Sequence, residues 1–273
     1  MKKVVLITGA STGIGFATLE KLVEEGFVVY GTARKKQDLD AIERVGGKPL
    51  YMEMTDYDSI QKGVNTIMKN EGSIDILCNN AGYGLYGAIE DVPIDAAKHQ
   101  FEVNLFGLAR LTQLVIPTMR KSQSGHIINI SSIGGRVWIP FGAWYHATKH
   151  ALEGWSDCLA YELKPFGIRV TIIEPGAIKT PWGATQQDTL RKYSGSGPYE
   201  KLVGMLIKRT ERSYKNGDGS DPSVIADVIS RAIATKKPKA RYLAGKYAKQ
   251  LWFVRRVLGD SAYSVVVDKL VSR

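Results

Sequence analysis

The sequence predicts a doubly wound α/β fold, with one parallel β-sheet at the centre of a three-layer α/β/α stack. Three observations predict it. Short apolar runs alternate with longer segments of helical periodicity from Val4 to Ile173. Runs such as Val4-Val5-Leu6-Ile7 lack the polar alternation of a half-exposed strand, so they suit strands covered on both faces. The stretches between strands are long enough for the helical crossovers that parallel pairing demands.

The elements follow in order. Residues 4–8 form the first strand, and a glycine-rich turn leads into a helix over 16–25, closed by Gly26. A strand over 27–32, a helix over 36–44, a strand over 49–54 and a helix over 57–70 repeat the unit. Then come a strand at 74–78, a helix at 94–120, a strand at 126–130, a helix at 143–163 and a strand at 168–173. From Lys179 the pattern weakens. Residues 186–199 are polar and contain Gly195 and Gly197, which reads as a mobile insertion. The weakly patterned stretch extends over about 183–215 and could close over a bound molecule. A helix over 222–234, a strand at 241–244 and a basic helical extension over about 246–273 complete a single domain spanning 1–273.

The chain has 273 residues, is 44% hydrophobic and 23% charged, and so has the composition of a globular protein with a substantial core. Its net charge of +10 is uneven, because residues 201–273 hold 16 Lys and Arg against 6 Asp and Glu. The first 200 residues are neutral overall, which argues against a body built to hold nucleic acid. The two cysteines fit no metal-ligand spacing, and no metal is expected. The apolar run after Met1-Lys2-Lys3 stops at Thr8-Gly9, too short for a secretory core, and no run is long enough for a membrane span. A cytoplasmic location is the expectation.

Thr8-Gly9-Ala10-Ser11-Thr12-Gly13-Ile14-Gly15 lies between a strand and a helix. Glycines there allow a tight turn and close approach of backbone to a pyrophosphate, and the free N–H groups of the helix start face the anion. The spacing is GxxxGxG; for three glycines alone, a plain structural turn is the alternative. After the second strand no carboxylate stands at Gly31, Thr32 or Ala33 to accept from the ribose of NAD, and Arg34, Lys35 and Lys36 follow. A guanidinium can fork onto the extra phosphate of NADP(H), which is therefore the preferred cofactor, with NAD(H) possible. A solvated basic helix start is the alternative.

Tyr145 and Lys149 stand four apart in a helical stretch, on one face. A free phenol has a pKa near 10, about three units too high to release a proton readily at pH 7. A nearby ammonium would lower it and make Tyr145 a general acid or base. In isolation the pair is equally an exposed helix face.

With Asn79-Asn80-Ala81-Gly82, Asn104, Ser131-Ser132, Tyr145-His146-Ala147-Thr148-Lys149 and Pro175-Gly176 in this order, the chain resembles the short-chain dehydrogenase/reductase family over about residues 3–182. Within it, the chain is most similar to hydroxysteroid-dehydrogenase-like and carbonyl-reductase-like members. The resemblance implies a Rossmann fold and a catalytic set of Asn104, Ser132, Tyr145 and Lys149. Ser132, thirteen residues before Tyr145, would polarise the substrate oxygen; Lys149 would also bind the nicotinamide ribose; Asn104 would hold a water in a proton relay. Cofactor contacts are implied for Gly9, Ser11, Thr12, Gly13, Ile14, Gly15, Arg34, Glu53, Met54, Asn80, Ala81, Gly82, Pro175, Gly176, Ile178 and Thr180, besides Tyr145 and Lys149. Glu53 stands where the family usually has Asp, and Thr12 where many NADP-using relatives have Arg or Lys. Members are commonly homodimers or homotetramers.

Tyr83, Tyr86, Trp138, Phe141 and Trp182 are candidates for an aromatic pocket suited to an apolar or ring-bearing ketone or alcohol. They could equally pack loops or a subunit contact. No histidine has a partner suggesting catalysis. The amphipathic tail, with Trp252, Phe253, Arg255 and Arg256, is expected to pack on the body or a second subunit, with an anionic membrane surface as the less favoured alternative. The expected function is NADP(H)-dependent hydride transfer between nicotinamide and a carbonyl or secondary alcohol. A non-catalytic NADP(H)-binding regulator is the alternative, and a nucleic-acid-binding tail the third.

Overall fold

The computed structural model describes residues 2–271. Seven strands form one sheet, parallel throughout: β1 (Val4–Ile7), β2 (Val28–Ala33), β3 (Lys48–Tyr51), β4 (Ile76–Asn79), β5 (Gly125–Ile130), β6 (Ile168–Pro175) and β7 (Arg241–Ala244), in the order β3-β2-β1-β4-β5-β6-β7. The order reverses between β1 and β4, the signature of a doubly wound sheet.

Helices cover both faces. On one, α1 (Gly13–Glu24), α2 (Lys36–Arg44) and α9 (Ser223–Ala234) bury Leu19, Leu22, Ile42, Ile225 and Ile229 against Val5, Ile7 and Val29. On the other, α3 (Tyr57–Glu71), α5 (Gly107–Lys121) and α6 (Ala143–Leu163) bury Ile60, Ile67, Leu111, Met119 and Leu159 against Leu6, Leu77 and Ile127. This two-sided burial is why the strands read as continuous apolar runs.

Three expectations need correcting. The helix expected over 94–120 is α4 (Ile94–Phe101), a π-helical turn (Glu102–Phe106) that buries Asn104, and α5, whose first residue Gly107 packs so tightly that a Cβ there would be 2.1 Å from the Met54 carbonyl oxygen. The third strand begins at Lys48 and ends at Tyr51, and its largely exposed edge position explains its weak apolar signal. The polar insertion is helical: α7 (Trp182–Ser194) and α8 (Glu200–Lys215) bury Leu190, Val203 and Ile207 with Tyr86 and Tyr145. Beyond β7 the tail is α10 (Ala248–Phe253), a π-helical turn (Val254–Leu258) and α11 (Gly259–Val271), and it buries Tyr263 and Val267 against Val137. No helix among the described residues is long and apolar enough to cross a membrane.

His126 of β5 is fully buried, with Nε2 2.9 Å from Thr171 Oγ1. Burial, aided by the charges of Arg169 and Lys3, pushes its pKa down to about 3. The unfolded chain therefore binds a proton here below about pH 6.5 that the folded chain refuses until about 3, so stability falls as pH drops through that window. Urea unfolding at pH 7 and 4.5 should show roughly 2–3 kcal/mol lost through this group, and His126→Gln should flatten that loss. An equal acid dependence in both proteins would refute it.

Candidate active site

At the carboxyl ends of β1 and β4 the reversal of strand order opens a cleft of about 1190 Å³. Its first wall is the glycine turn. Gly9 follows β1 with φ 64°, a left-handed conformation that costs glycine nothing. At Gly15 close approach matters instead: a Cβ would lie 2.3 Å from the Gly9 carbonyl oxygen and 2.5 Å from Asn80 Nδ2. The first turn of α1 has neither a side-chain cap nor an acidic residue, so its N–H groups are left for an outside anion.

Asn80 locks this turn to β4. Its Nδ2 donates to the carbonyls of Thr8 and Gly9 at 3.0 and 2.9 Å, while Thr8 Oγ1 accepts from the backbone N–H groups of Asn80 and Ala81, each at 3.0 Å. Thr8 is thus a site residue beyond those expected from the sequence, and its place before Gly9 in the motif is the signal for it. At the far end of the cleft Arg34 Nη1 donates to Glu53 Oε2 at 3.3 Å. Both line the cleft, so the exposed guanidinium stands at its mouth with Glu53 as a tether.

At the inner end stand Ser132, Tyr145 and Lys149, all lining the cleft. Burial pushes the Tyr145 phenol up to about 12, and hydrogen bonding with Ser132 opposes the rise. Burial pulls the Lys149 ammonium down to about 8 against the charge of Glu153. Lys149 Nζ donates to the Ile130 carbonyl at 2.8 Å. Burial therefore outweighs any acidifying influence on the phenol here, and the Lys149 cation is held at the end of β5. Both Ser131 and Ser132 reach the cleft, but Ser132 is the one hydrogen-bonded with Tyr145.

Asn104 sits in the π-helical turn, buried behind the cleft rather than lining it. Its Oδ1 accepts from Tyr83 N–H at 3.0 Å, and its Nδ2 donates to the Tyr83 carbonyl at 3.0 Å and to Thr148 Oγ1 at 3.1 Å. It therefore pins the segment after β4 to α6. Glu153, on the next turn after Lys149, is bridged to the Ser132 loop by Arg136 at 3.1 Å and to β7 by Arg241 at 3.0 Å; Arg136 also holds buried Glu174 of β6 at 2.6 Å. Nothing in the sequence marks these two buried carboxylates, because their arginine partners lie on distant segments.

Of the remaining candidates, Ser11, Thr12, Gly13, Ile14, Met54, Ala81, Gly82, Pro175, Gly176, Ile178 and Thr180 line the cleft, as do Tyr83, Tyr86 and Trp182. The Tyr145 ring lies 5.2 Å from Trp182 and 5.9 Å from Tyr86, an aromatic corner beside the phenol. Two pocket candidates are corrected. Trp138 turns away to meet Tyr263 of α11 at 5.8 Å, and Phe141 packs edge-on against Tyr199 at 5.8 Å. Neither lines the cleft, whose apolar wall comes instead from Ile139, Leu190, Leu206 and Ile207. Among the described residues no group of three His, Cys, Asp or Glu side chains could hold a metal ion.

A family model described as short chain dehydrogenase matches residues 3–191. The chain belongs to that family. This short-chain dehydrogenase is 36% identical to a 3-ketodihydrosphingosine reductase of Bacteroides thetaiotaomicron, over 92% of its own length and 90% of the relative's. It is 35% identical to an NADPH-dependent 3-dehydrocapnine reductase of Ornithobacterium rhinotracheale, over 98% and 94%. The crystal structure of a short-chain dehydrogenase from Streptomyces avermitilis superposes with a TM-score of 0.83 at 34% identity, covering 100% of this chain and 98% of that one.

Proposed function

We propose that this dehydrogenase reduces the carbonyl of an apolar ketone, or oxidises the corresponding secondary alcohol, with Tyr145 as general acid or base. The convergence of Ser132, Tyr145 and Lys149 at the inner end of one cleft carries the reading. NADP(H) is the cofactor, and the residues present fit it: a left-handed glycine, a close-approach glycine and an uncapped helix start for the pyrophosphate, with Arg34 at the mouth for the further phosphate. When bound, it supplies or accepts the hydride.

Ser132 donates a hydrogen bond to the substrate oxygen and polarises the carbonyl. Tyr145, protonated at neutral pH, gives its phenolic proton to that oxygen as charge builds there. Lys149 would hold the cofactor's ribose hydroxyls, and its charge would favour the phenolate left behind. Trp182, Tyr86, Leu206 and Ile207 exclude water and accept the apolar part of the substrate. The two relatives named as reductases of a 3-keto or 3-dehydro compound support reduction as the working direction.

A spectrophotometric screen of ketones and alcohols with NADPH and NADH in parallel tests the reading. Turnover of apolar ketones with NADPH is expected; tight NADPH binding with no turnover of any ketone or alcohol would favour a regulator. Cofactor choice has its own test. Arg34→Ala should weaken NADPH binding about tenfold or more and leave NADH binding unchanged, measured by fluorescence titration. Equal effects on both cofactors would remove Arg34 from phosphate recognition.

A further inference from the structure

We propose that His146 is a positioning residue, acting through Gly134 to aim the Ser132 hydroxyl at the reacting oxygen. This rests on the roles of Ser132 and Tyr145 proposed above.

His146 follows Tyr145 on α6 and reaches into the loop over 133–142, which joins Ser132 to that helix. Its Nδ1 lies 2.9 Å from the Gly134 carbonyl oxygen, and its Nε2 lies 3.0 Å from the backbone nitrogen of Ile139. A carbonyl only accepts and a backbone N–H only donates, so the two partners together demand one state: neutral imidazole, proton on Nδ1, lone pair on Nε2. A second ring proton would confront the Ile139 N–H. Burial keeps the ring neutral by lowering its pKa, aided by neighbouring His150 and opposed by the Gly134 bond.

Gly134 faces two ways. Its carbonyl accepts from His146, and its own N–H donates to Ser132 Oγ at 2.9 Å. The hydrogen bonds therefore run from the imidazole through one residue to the serine oxygen. With one lone pair of Oγ engaged by Gly134, the hydroxyl proton and the other lone pair are restricted in direction, toward Tyr145 and the substrate oxygen. The slot for the ring is built from glycine: a Cβ at Gly134 would come within 3.0 Å of Nδ1, and one at Gly142 within 2.9 Å of the ring carbon Cδ2. Farther along the loop, Tyr263 of α11 donates its hydroxyl to the Trp138 carbonyl at 2.8 Å, so the loop is also tied from the outside. His146 tethers it from the side that bears Ser132.

A double-mutant cycle separates positioning from general support of the fold. His146→Phe fills the slot without hydrogen bonds, and His146→Asn restores an N–H near the Nδ1 position. His146→Phe should lower kcat for a ketone by about tenfold or more while NADPH binding changes less than about twofold, and His146→Asn should recover much of the loss. In a Ser132→Ala background the same Phe substitution should cost less than about twofold, because the group it acts on is gone. Equal losses in both backgrounds, or no loss in either, would overturn the proposal. A readout independent of turnover is the long-range proton–nitrogen NMR spectrum of the cofactor-free protein. Protonated Nδ1 and unprotonated Nε2 are expected for His146, and the reverse tautomer would overturn the proposal even if the variants fail to fold. Absence of all turnover in the unsubstituted protein would instead refute the functional reading, and the tautomer would still decide the tether.

Discussion

Tyr145→Phe should lower ketone reduction by about 10³-fold, the scale of a lost general acid, while NADPH binding stays within about twofold. The substitution deletes one oxygen and leaves the ring packed against Trp182 and Tyr86 at 5.2 and 5.9 Å, so the cleft should keep its shape. The phenol is protonated at neutral pH because burial has pushed it up to about 12, and a proton is therefore in place for reduction. Lys149, pulled down to about 8 by burial, is the group that titrates in the working range. Its charge is present below that value and lost above it, so kcat/KM for reduction should fall as pH rises past about 8. Stopped-flow rates for the variant and a pH profile for the unsubstituted enzyme check both statements. Undiminished hydride transfer in the Phe variant would remove Tyr145 from the chemistry.

The second large effect is expected at Gly15. Gly15→Ala would place a methyl group 2.3 Å from the Gly9 carbonyl oxygen and 2.5 Å from Asn80 Nδ2. Neither neighbour can easily yield: Gly9 is part of the turn, and Asn80 is held by the carbonyls of Thr8 and Gly9. Stability should fall by about 1–3 kcal/mol, as for an overpacked core. NADPH affinity should fall at least tenfold, because the displaced turn no longer presents its N–H groups to the pyrophosphate. Calorimetry and a binding titration read the two effects separately. Wild-type affinity in a folded variant would mean that the turn does not hold the cofactor.

Much of this fold is legible in the chain because burial on both sheet faces leaves a plain mark. Buried strands such as Ile76–Asn79 and Ile168–Pro175 show it, whereas the exposed edge strand Lys48–Tyr51 shows it weakly. The π-helical turn at Glu102–Phe106 is hidden because its buried side chain, Asn104, finds its partners Tyr83 and Thr148 on segments remote in sequence. The segment after Lys179 misleads for a related reason. Trp182–Ser194 is polar over most of its surface and buries few residues, among them Leu190, so its helix depends on the cleft it packs against.

By itself the sequence determined which chemical groups stand at the strand ends: the glycines after β1, Asn80 after β4, Ser132 after β5 and the Tyr145/Lys149 pair on α6. Spacing along one strand or helix is enough for that, since periodicity sets which residues share a face. The tertiary structure alone decided where those groups point. Lys149 turns to the Ile130 carbonyl, Trp138 turns to Tyr263, and His146, given no role by the sequence, bridges Gly134 and Ile139. Hydrogen-bond direction and local dielectric depend on atoms brought in from other segments, and those atoms meet only when the chain has folded.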